Sequence, residues 1–279
     1  MEWRDEAIVL YTRPMGERSH LVSLLTRERG KENGAVRASK KDVSLLEIGT
    51  QVNARWKARL ETQLGYLTLE MIHPTSVLLL DDALGLRLLQ CASVLTYMSI
   101  PQGHAYPALY EVFFRFLRGL SCTSPNRHSE LVSGSHKKML KQVQHNKAEH
   151  SALSQLQAFV HFEMYLLQEL GFGLDLKKCA VTGSTEDLVA VSPKTGRAVS
   201  SGPAKPYQSR LLPLPTFLTS VNDDFPPISE ILKALDLTGY FLERYLLSSL
   251  SLEMPKIRGE LKRFVHRFGP KFEETYCAS

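Results

Sequence analysis

The segment from Thr50 to Leu60, TQVNARWKARL, alternates apolar and polar side chains. Successive residues of a β-strand point to opposite faces of a sheet, so this alternation predicts a strand with two chemically different faces. The apolar face carries Val52, Ala54, Trp56, Ala58 and Leu60. The opposite face carries Gln51, Asn53, Arg55, Lys57 and Arg59. The pattern therefore predicts a strand that buries its apolar side and presents cations on its outer side.

Four further short segments in the first 73 residues have the composition of strands and end near a glycine or a proline. The five predicted strands cover residues 7–12, 19–26, 34–38, 50–60 and 65–72. Five short strands separated by turns predict a small closed or partly open barrel, and the oligonucleotide-binding barrel is the commonest of that size. We therefore predict a first domain at residues 1–73.

After residue 73 the apolar positions recur at intervals of three and four, which is the period of amphipathic helices. The predicted helices cover residues 82–99, 106–120, 148–170, 228–235, 238–252 and 257–268. We expect them to form an all-α domain over residues 74–279, built around the long helix at 148–170. The predicted fold class is therefore α+β, with a barrel followed by a helical domain.

Two segments interrupt the helical pattern. Residues 121–147 are rich in Ser, His, Lys and Asn and poor in large apolar side chains, which predicts a polar, flexible insertion. Residues 178–204 predict two short hairpins, with turns at Gly183 and at Thr195-Gly196. The second insertion is therefore a small β-structure within the helical domain.

The charge of the chain is concentrated in the predicted barrel. The 279 residues carry a formal net charge of +5, whereas the stretch from Arg13 to Arg59 alone has eleven Lys and Arg against five Asp and Glu. Such a local excess favours binding to the phosphates of nucleic acid. The alternative is a solvated surface whose cations protect strand edges or form ion pairs within the protein. No apolar run approaches the length of a membrane span, so we expect a cytoplasmic protein without membrane contact.

No catalytic motif is recognisable in the chain. It lacks a GxxxxGK[ST] phosphate loop, an HExxH motif and a GxSxG motif. Asp81 and Asp82 stand at a predicted helix start, where helix capping explains them better than metal binding. The cysteines are dispersed without paired spacing, at Cys91, Cys122, Cys179 and Cys277. We therefore predict a protein that is not an enzyme and that has no cofactor and no bound metal.

Four segments together resemble the RecO family of DNA repair and recombination mediator proteins. They occur in the family's order and spacing and read MEWRDEAIVLYTRPMGERSHLVSLLTRERGK, VNARWKARLE, EMYLLQELGFGLDLKKCAVTG and SPKTGRAVS. The resemblance covers nearly the whole chain apart from residues 121–147. It implies an N-terminal oligonucleotide-binding barrel joined to a helical domain with a small zinc-ribbon-like insertion.

The resemblance also implies a function. Family members are bacterial proteins of the cytoplasm and nucleoid, and we expect this one to be a monomer when alone. They bind single- and double-stranded DNA, anneal complementary strands and, together with RecR, help load the RecA recombinase onto DNA covered by single-strand-binding protein. Some members also bind the acidic, phenylalanine-ended tail of that protein through the helical domain.

The chain departs from the family pattern in its zinc-ribbon-like insertion. Many members carry two Cys-x-x-Cys pairs there, whereas this chain keeps Cys179 and has Thr182 in place of its partner. Ser200 and Pro203 occupy the positions of the second pair. A single thiolate cannot hold a tetrahedral zinc, so we predict a metal-free insertion stabilised by hairpin packing.

The expected sites follow from the cations and the resemblance. We predict DNA contact, without sequence readout, at Arg13, Arg18, Arg37, Lys40, Lys41, Arg55, Lys57 and Arg59. A basic groove that receives the acidic tail is expected at Lys256, Arg258, Lys262 and Arg263. The alternative function is a protein-interaction adaptor whose barrel mainly binds a partner such as RecR, with DNA contact secondary.

Overall fold

The computed structural model describes residues 1–17, 19–37, 43–60, 63–123, 137–219 and 225–276, without the side chains of 123, 137–149 and 267–276. The chain forms two compact units, Met1–Gly134 and Ser135–Ser279. The first unit contains helices as well as the barrel, and so extends beyond the domain boundary predicted at residue 73. The physical reason is that the helices after residue 73 contact barrel strands, as described below.

The first unit begins with a closed five-stranded barrel, in which the strand order is β1-β2-β3-β5-β4. Its strands are β1 (Glu2–Pro14), β2 (Ser19–Thr26), β3 (Gly30–Arg37), β4 (Gln51–Lys57) and β5 (Gly65–His73). Neighbouring strands are antiparallel except β3 and β5, which pair in parallel. The prediction of five short strands closing into a barrel is confirmed.

Strand β1 closes the barrel because it pairs with two neighbours. Its first part, Glu2–Ile8, pairs with β4, and its second part, Ala7–Pro14, pairs with β2, with an irregularity between Val9 and Tyr11. The sequence predicted only residues 7–12 of this strand. The preceding residues are mostly charged, so their strand structure depends on pairing with β4 rather than on an apolar run of their own.

The barrel interior is filled by the apolar faces of its strands. Ala7, Val9, Val22, Leu24, Val36, Val52, Ala54, Trp56, Leu67 and Leu69 are among its buried side chains. Three of the five residues predicted to lie on the inner face of the opening segment, Val52, Ala54 and Trp56, are therefore in the core. The strand ends at Lys57, so Leu60 lies beyond it and is exposed.

Three helices complete the described part of the first unit. They are α1 (Thr75–Leu78), α2 (Ala83–Ser99) and α3 (Pro107–Thr123). The side chain of Asp82 caps α2 by accepting a hydrogen bond of 2.8 Å from the backbone N–H of Gly85, as predicted. Tyr97 at the end of α2 stacks on Tyr11 of β1, with ring centroids 4.8 Å apart. The helices thus pack on the outside of the barrel.

The chain after α2 also covers the free side of β3, which pairs with β5 over a short distance. Lys31 donates a hydrogen bond of 2.7 Å from its Nζ to the carbonyl of Tyr97. The backbone N–H of Gly103 donates to the carbonyl of Lys31, and the side-chain amide of Asn33 donates to Gln102. This segment therefore satisfies the backbone carbonyl of Lys31, a residue of β3 that does not pair with β5.

The second unit is mainly helical. Its principal helices are α4 (Lys137–Glu169), α6 (Ile228–Phe241) and α7 (Lys256–Tyr276), and α6 continues into a π-helical turn at Leu242–Leu247. The prediction of a loop at 121–147 is wrong for residues 121–123 and 137–147, which are helical; residues 124–136 lie outside the described residues. Straight-chain polar residues such as Lys and Gln are good helix formers even where no apolar stripe marks the helix.

A buried ion pair joins three helices of the second unit. Arg258 of α7 donates from Nε to Glu163 Oε1 of α4 at 2.5 Å and from its terminal nitrogen to Glu163 Oε2 at 2.9 Å. The hydroxyl of Thr238 on α6 donates to Glu163 Oε2 at 2.5 Å. Both charged side chains are buried, with 5% and 0% of their surface exposed.

The insertion between α4 and α6 is a small three-stranded sheet. Its elements are β6 (Leu188–Val191), β7 (Ala198–Ser200), α5 (Ser201–Ala204) and β8 (Leu212–Pro213). The strand order is β7-β6-β8, so one of the two predicted hairpins forms, with its turn at Thr195-Gly196. The other is wrong, because the chain around Gly183 is a turn whose ends do not continue as paired strands.

Candidate nucleic-acid interface

The outer surface of the barrel carries a row of side chains that can be followed from strand to strand by register. Arg13 of β1 is opposite Leu21, Leu21 is opposite Ala35, and Ala35 is opposite Tyr66. Tyr66 is in turn opposite Lys57, and Lys57 is opposite Glu2. Directly opposite residues point to the same side of a sheet, so this row lies on one face. The row starts on β1 at Arg13 and, after passing around the barrel, ends on the same strand at Glu2. The different positions of its two ends along β1 reflect the stagger between strands of a closed barrel.

A second row runs parallel to the first, two residues along the strands. Arg4 is opposite Arg55, Arg55 is opposite Thr68, and Ser19 is opposite Arg37. Arg37 is the last residue of β3 and lies two residues after Ala35, so its side chain is on the same outer side of the barrel.

We call the surface formed by Arg37, Arg55, Lys57 and Tyr66 the basic face. Its four residues are all exposed, and Tyr66 has 70% of its surface accessible. Arg13 lies at one margin, with β2 and β3 between its strand and that of Tyr66, and Arg59 follows the end of β4 at the other. Five of the eight predicted DNA-binding residues therefore lie on or beside one surface. The other three, Arg18, Lys40 and Lys41, lie outside the described residues.

Acidic residues also occur on this side of the barrel. Arg55 Nε lies 2.6 Å from Glu2 Oε1, and the hydrogen bond from Arg55 lowers the pKa of the Glu2 carboxyl. Glu70 of β5 points to the same side as Tyr66 and Thr68 and is exposed. The outer side of β4 is cationic as predicted. The neighbouring strands β1 and β5 add carboxylates, which a prediction made from β4 alone did not include. Arg55 can meet a phosphate through its terminal nitrogens, because the ion pair with Glu2 uses Nε.

Two other cations of the barrel are used within the protein. Arg27 forms ion pairs with Glu6 at 2.9 Å and with Glu111 at 3.1 Å. Lys31 is half-buried, and burial lowers the pKa of its ammonium group. The positive charge available to a ligand is therefore smaller than the count of eleven cations suggests, and the basic face contributes Arg37, Arg55 and Lys57 to it.

The sequence prediction did not select Tyr66 as a functional residue. The alternation of GYLTLEM does place Tyr66 on the outer side of β5, opposite to the buried Leu67 and Leu69. A large aromatic ring with most of its surface exposed and a lysine directly across the sheet is typical of a surface on which bases stack. Tyr66 is the second residue of β5, and its exposed ring makes it a candidate for contact with a base.

The four residues predicted to bind an acidic tail have different environments in the second unit. Arg258 is buried and engaged with Glu163, so its guanidinium is not available at the surface. Lys262 forms an ion pair with Asp236. Lys256 and Arg263 are exposed. We therefore remove Arg258 from the predicted groove, because a buried guanidinium that already binds a carboxylate has no site for a second one.

Cys179 lies in the small core of the three-stranded sheet, where the resemblance implies a zinc-ribbon-like insertion. The Sγ of Cys179 accepts hydrogen bonds from the backbone N–H and the hydroxyl of Ser200, both at 3.3 Å, and from the backbone N–H of Thr182 at 3.5 Å. Burial opposes ionisation of this thiol, but the hydrogen bonds from Ser200 and Thr182 outweigh it and lower its pKa to about 6.

The side chains at the four positions implied by the resemblance do not fit a zinc site. A tetrahedral zinc site needs four nitrogen, sulfur or carboxylate ligands, and Cys179 is the one such group among the four family positions. Across the described residues, no group of three or more His, Cys, Asp and Glu is arranged to hold a metal. The sulfur is instead a hydrogen-bond acceptor in a small core with Ala190, Val199 and Ala204, so hairpin packing is supplemented by hydrogen bonds.

Comparisons with known proteins identify the family. Residues 1–75 match the family model described as Recombination protein O N terminal, and residues 136–253 match Recombination protein O C terminal. The DNA repair protein RecO of Caulobacter vibrioides strain NA1000 is 37% identical over 260 residues, covering 92% of this chain and 95% of the relative. That of Rhodospirillum centenum is 38% identical over 272 residues, covering 96% and 95%.

A third relative extends the match over almost the full length of both chains. The DNA repair protein RecO of Bartonella tribocorum is 34% identical over 275 residues, covering 96% of this chain and 98% of the relative. In the described part of the chain, no helix has both the length and the apolar character needed to cross a membrane. Both halves of the family pattern and these full-length relatives establish that the chain belongs to the RecO family of DNA repair proteins.

Proposed function

We propose that this protein is a recombination mediator that binds single- and double-stranded DNA through the basic face and anneals complementary strands. With RecR, it would load RecA onto DNA covered by single-strand-binding protein, in the bacterial cytoplasm at the nucleoid. The observation that carries the proposal is that Lys57 and Tyr66 are directly opposite each other on the outer side of the barrel, with the exposed Arg55 and Arg37 on the same side. The closed five-stranded barrel and its strand order support an oligonucleotide-binding fold.

The proposed activity requires no bond chemistry. Two DNA strands repel each other through their phosphates, and cations on a protein surface reduce that repulsion by taking the place of counterions. Base pairing then supplies the free energy of annealing. Tyr66 offers a flat surface for an unpaired base beside Lys57, which can contact the adjoining phosphate. Cations that contact phosphate carry no sequence information, so we expect annealing of any complementary pair.

The alternative is an adaptor that binds RecR or a similar protein through the barrel. A specific observation favours a protein contact on the first unit: Ile72, Val77 and Leu80, at the end of β5 and in and after α1, have 47%, 43% and 69% of their surface exposed. These apolar side chains lie on the same unit as the basic face. Lys256 and Arg263 remain candidates for contact with an acidic tail on the second unit.

A strand-annealing assay distinguishes the two functions. We expect the purified protein to accelerate annealing of complementary oligonucleotides, both when they are free and when they are covered by single-strand-binding protein. The Lys57→Gln, Tyr66→Ala double variant should lose most of that acceleration, because both groups belong to the proposed surface. Failure of the wild-type protein to bind or anneal DNA, with binding to RecR intact, would contradict the proposal and favour the adaptor.

A further inference from the structure

A cavity of about 680 Å³ opens beside the start of β1 and the end of β4. Its lining includes Trp3, Trp56, Arg29, Glu32, Asn33 and Gln102. All of these residues belong to the first unit. Cavities of 300–1,000 Å³ with an aromatic lining and a few polar groups are typical of sites for small planar molecules.

Two tryptophans form an aromatic platform in this cavity. Trp3 and Trp56 stack with ring centroids 5.9 Å apart and ring planes within 6° of each other. Trp56 is fixed, because it is buried and donates a hydrogen bond of 3.1 Å from Nε1 to the carbonyl of Asn33. The guanidinium of Arg29 lies 5.6 Å from the centre of the Trp3 ring. Trp3 is partly exposed, so its ring and the Arg29 plane are accessible from the cavity.

The polar groups of the cavity are suited to the edge of a base. The side-chain amide of Asn33 is held by Ser23 at 2.5 Å and by Gln102 at 2.7 Å. Glu32 is half-buried, and burial raises the pKa of its carboxyl. Glu2 and Glu32 balance Arg29 and the terminal ammonium of Met1 in the lining, so the cavity has no formal excess of positive charge to favour phosphate. A carboxylate and two amides can instead accept and donate hydrogen bonds to the polar edge of an uncharged base.

The cavity and the basic face are adjacent because they use the two sides of the same strand. Trp56 points into the barrel, and the next residue, Lys57, points to the outer side. In the neighbouring strand, Trp3 is opposite Trp56 and Glu2 is opposite Lys57. A single strand of DNA that contacts Lys57 through phosphate can therefore turn one base over the rim of the barrel towards Trp3.

We propose that this cavity is a binding site for an unstacked nucleobase of single-stranded DNA, with the base stacked against Trp3 and Arg29. The inference rests on the proposed DNA-binding function and adds a mode of recognition to it. Duplex DNA cannot use the site, since its bases are already stacked and paired. The cavity therefore gives the protein a preference for single strands that cations alone do not provide.

Intrinsic fluorescence tests the site directly, because Trp3 and Trp56 are the two tryptophans of the chain. We expect an unlabelled single-stranded oligonucleotide to quench tryptophan emission as it saturates the protein. A duplex of the same length should bind without comparable quenching. Binding of each DNA is measured independently by the anisotropy of a labelled copy. Single-strand binding by anisotropy with unchanged tryptophan emission would overturn the inference and leave the proposed function standing.

Two variants distinguish the contribution of stacking to single-strand binding from the contributions of charge and of correct folding. Trp3→Leu keeps apolar bulk and removes the aromatic plane, and we expect about tenfold weaker binding to single strands, as for loss of one base–aromatic stack. Arg29→Lys keeps the charge and removes the guanidinium plane, so it should also weaken single-strand binding. Duplex affinity should stay at the wild-type value in both, which also reports that the barrel is folded. Wild-type single-strand affinity in both variants would contradict the site, whereas absence of DNA binding by the wild-type protein would contradict the proposed function itself.

Discussion

Replacing Arg258 with methionine is expected to reduce the free energy of unfolding of the second unit by about 3–5 kcal/mol. The substitution leaves the carboxylate of Glu163 buried, with 0% of its side chain exposed and without its cationic partner. A hydrogen bond from Thr238 remains, but one hydroxyl cannot replace the two donors of the guanidinium. Urea unfolding followed by circular dichroism measures the change.

Two further variants identify the cause of this loss. The double variant Arg258→Met, Glu163→Leu should recover a large part of the stability, because a buried ion pair can often be replaced by apolar side chains at little cost. Lys262→Met is the matched control: its ion pair with Asp236 is partly exposed, so the loss should be below about 1 kcal/mol. An Arg258→Met protein as stable as the Lys262→Met protein would show that the buried pair does not stabilise the unit.

Replacing Gly30 with alanine should destabilise the first unit by more than about 2 kcal/mol, from backbone strain together with overpacking. Gly30 ends the turn between β2 and β3 with φ of +77°, a conformation that L residues rarely adopt. A methyl group there would also lie 1.7 Å from the backbone carbonyl oxygen of His104. The backbone cannot move aside cheaply, because Gly103 is hydrogen-bonded to Lys31.

Gly103→Ala provides the control for this prediction. Gly103 has φ of +72°, but a methyl group there would meet nothing within 4 Å. It should therefore cost about 1 kcal/mol from strain alone. Thermal unfolding of the two variants isolates the contribution of the close contact. Equal losses of stability would contradict the idea that the segment after α2 is packed tightly on β3.

The barrel was predictable because each of its strands carries a local pattern. The alternation around Trp56 identified its buried and exposed sides, and the exposed cations at Arg55 and Lys57 followed from it. The basic face was only partly predictable. Its composition depends on the register between strands, which brings Tyr66 opposite Lys57 and Glu2 beside Arg55.

Predictions failed where a side chain has a distant partner. Arg258 has the sequence context of a solvated helix face, yet it is buried against Glu163, which lies 95 residues earlier in the chain. Nothing in the local pattern of α7 indicates that partner. The aromatic platform was missed for the same reason: Trp3 and Trp56 are far apart in sequence and become neighbours through the pairing of β1 with β4. Long-range pairing, rather than local propensity, determines both features.

If cations on one face of the barrel bind DNA phosphates, the affinity for DNA must fall as the salt concentration rises. With about four phosphate contacts on a single strand, log affinity should fall against log salt concentration with a slope near −3, or about −0.7 for each contact. The triple variant Arg37→Gln, Arg55→Gln, Lys57→Gln should bind single-stranded DNA more weakly than the wild-type protein, with a slope of about −1.

A second triple variant, Lys194→Gln, Arg210→Gln, Arg244→Gln, removes the same charge from exposed positions of the second unit and serves as the control. The measurement is the salt titration of labelled single-stranded DNA with the three proteins. We expect the control to keep the wild-type slope and the variant of the basic face to lose about two-thirds of it. A folded basic-face variant with the wild-type affinity and slope would show that these cations do not bind the DNA.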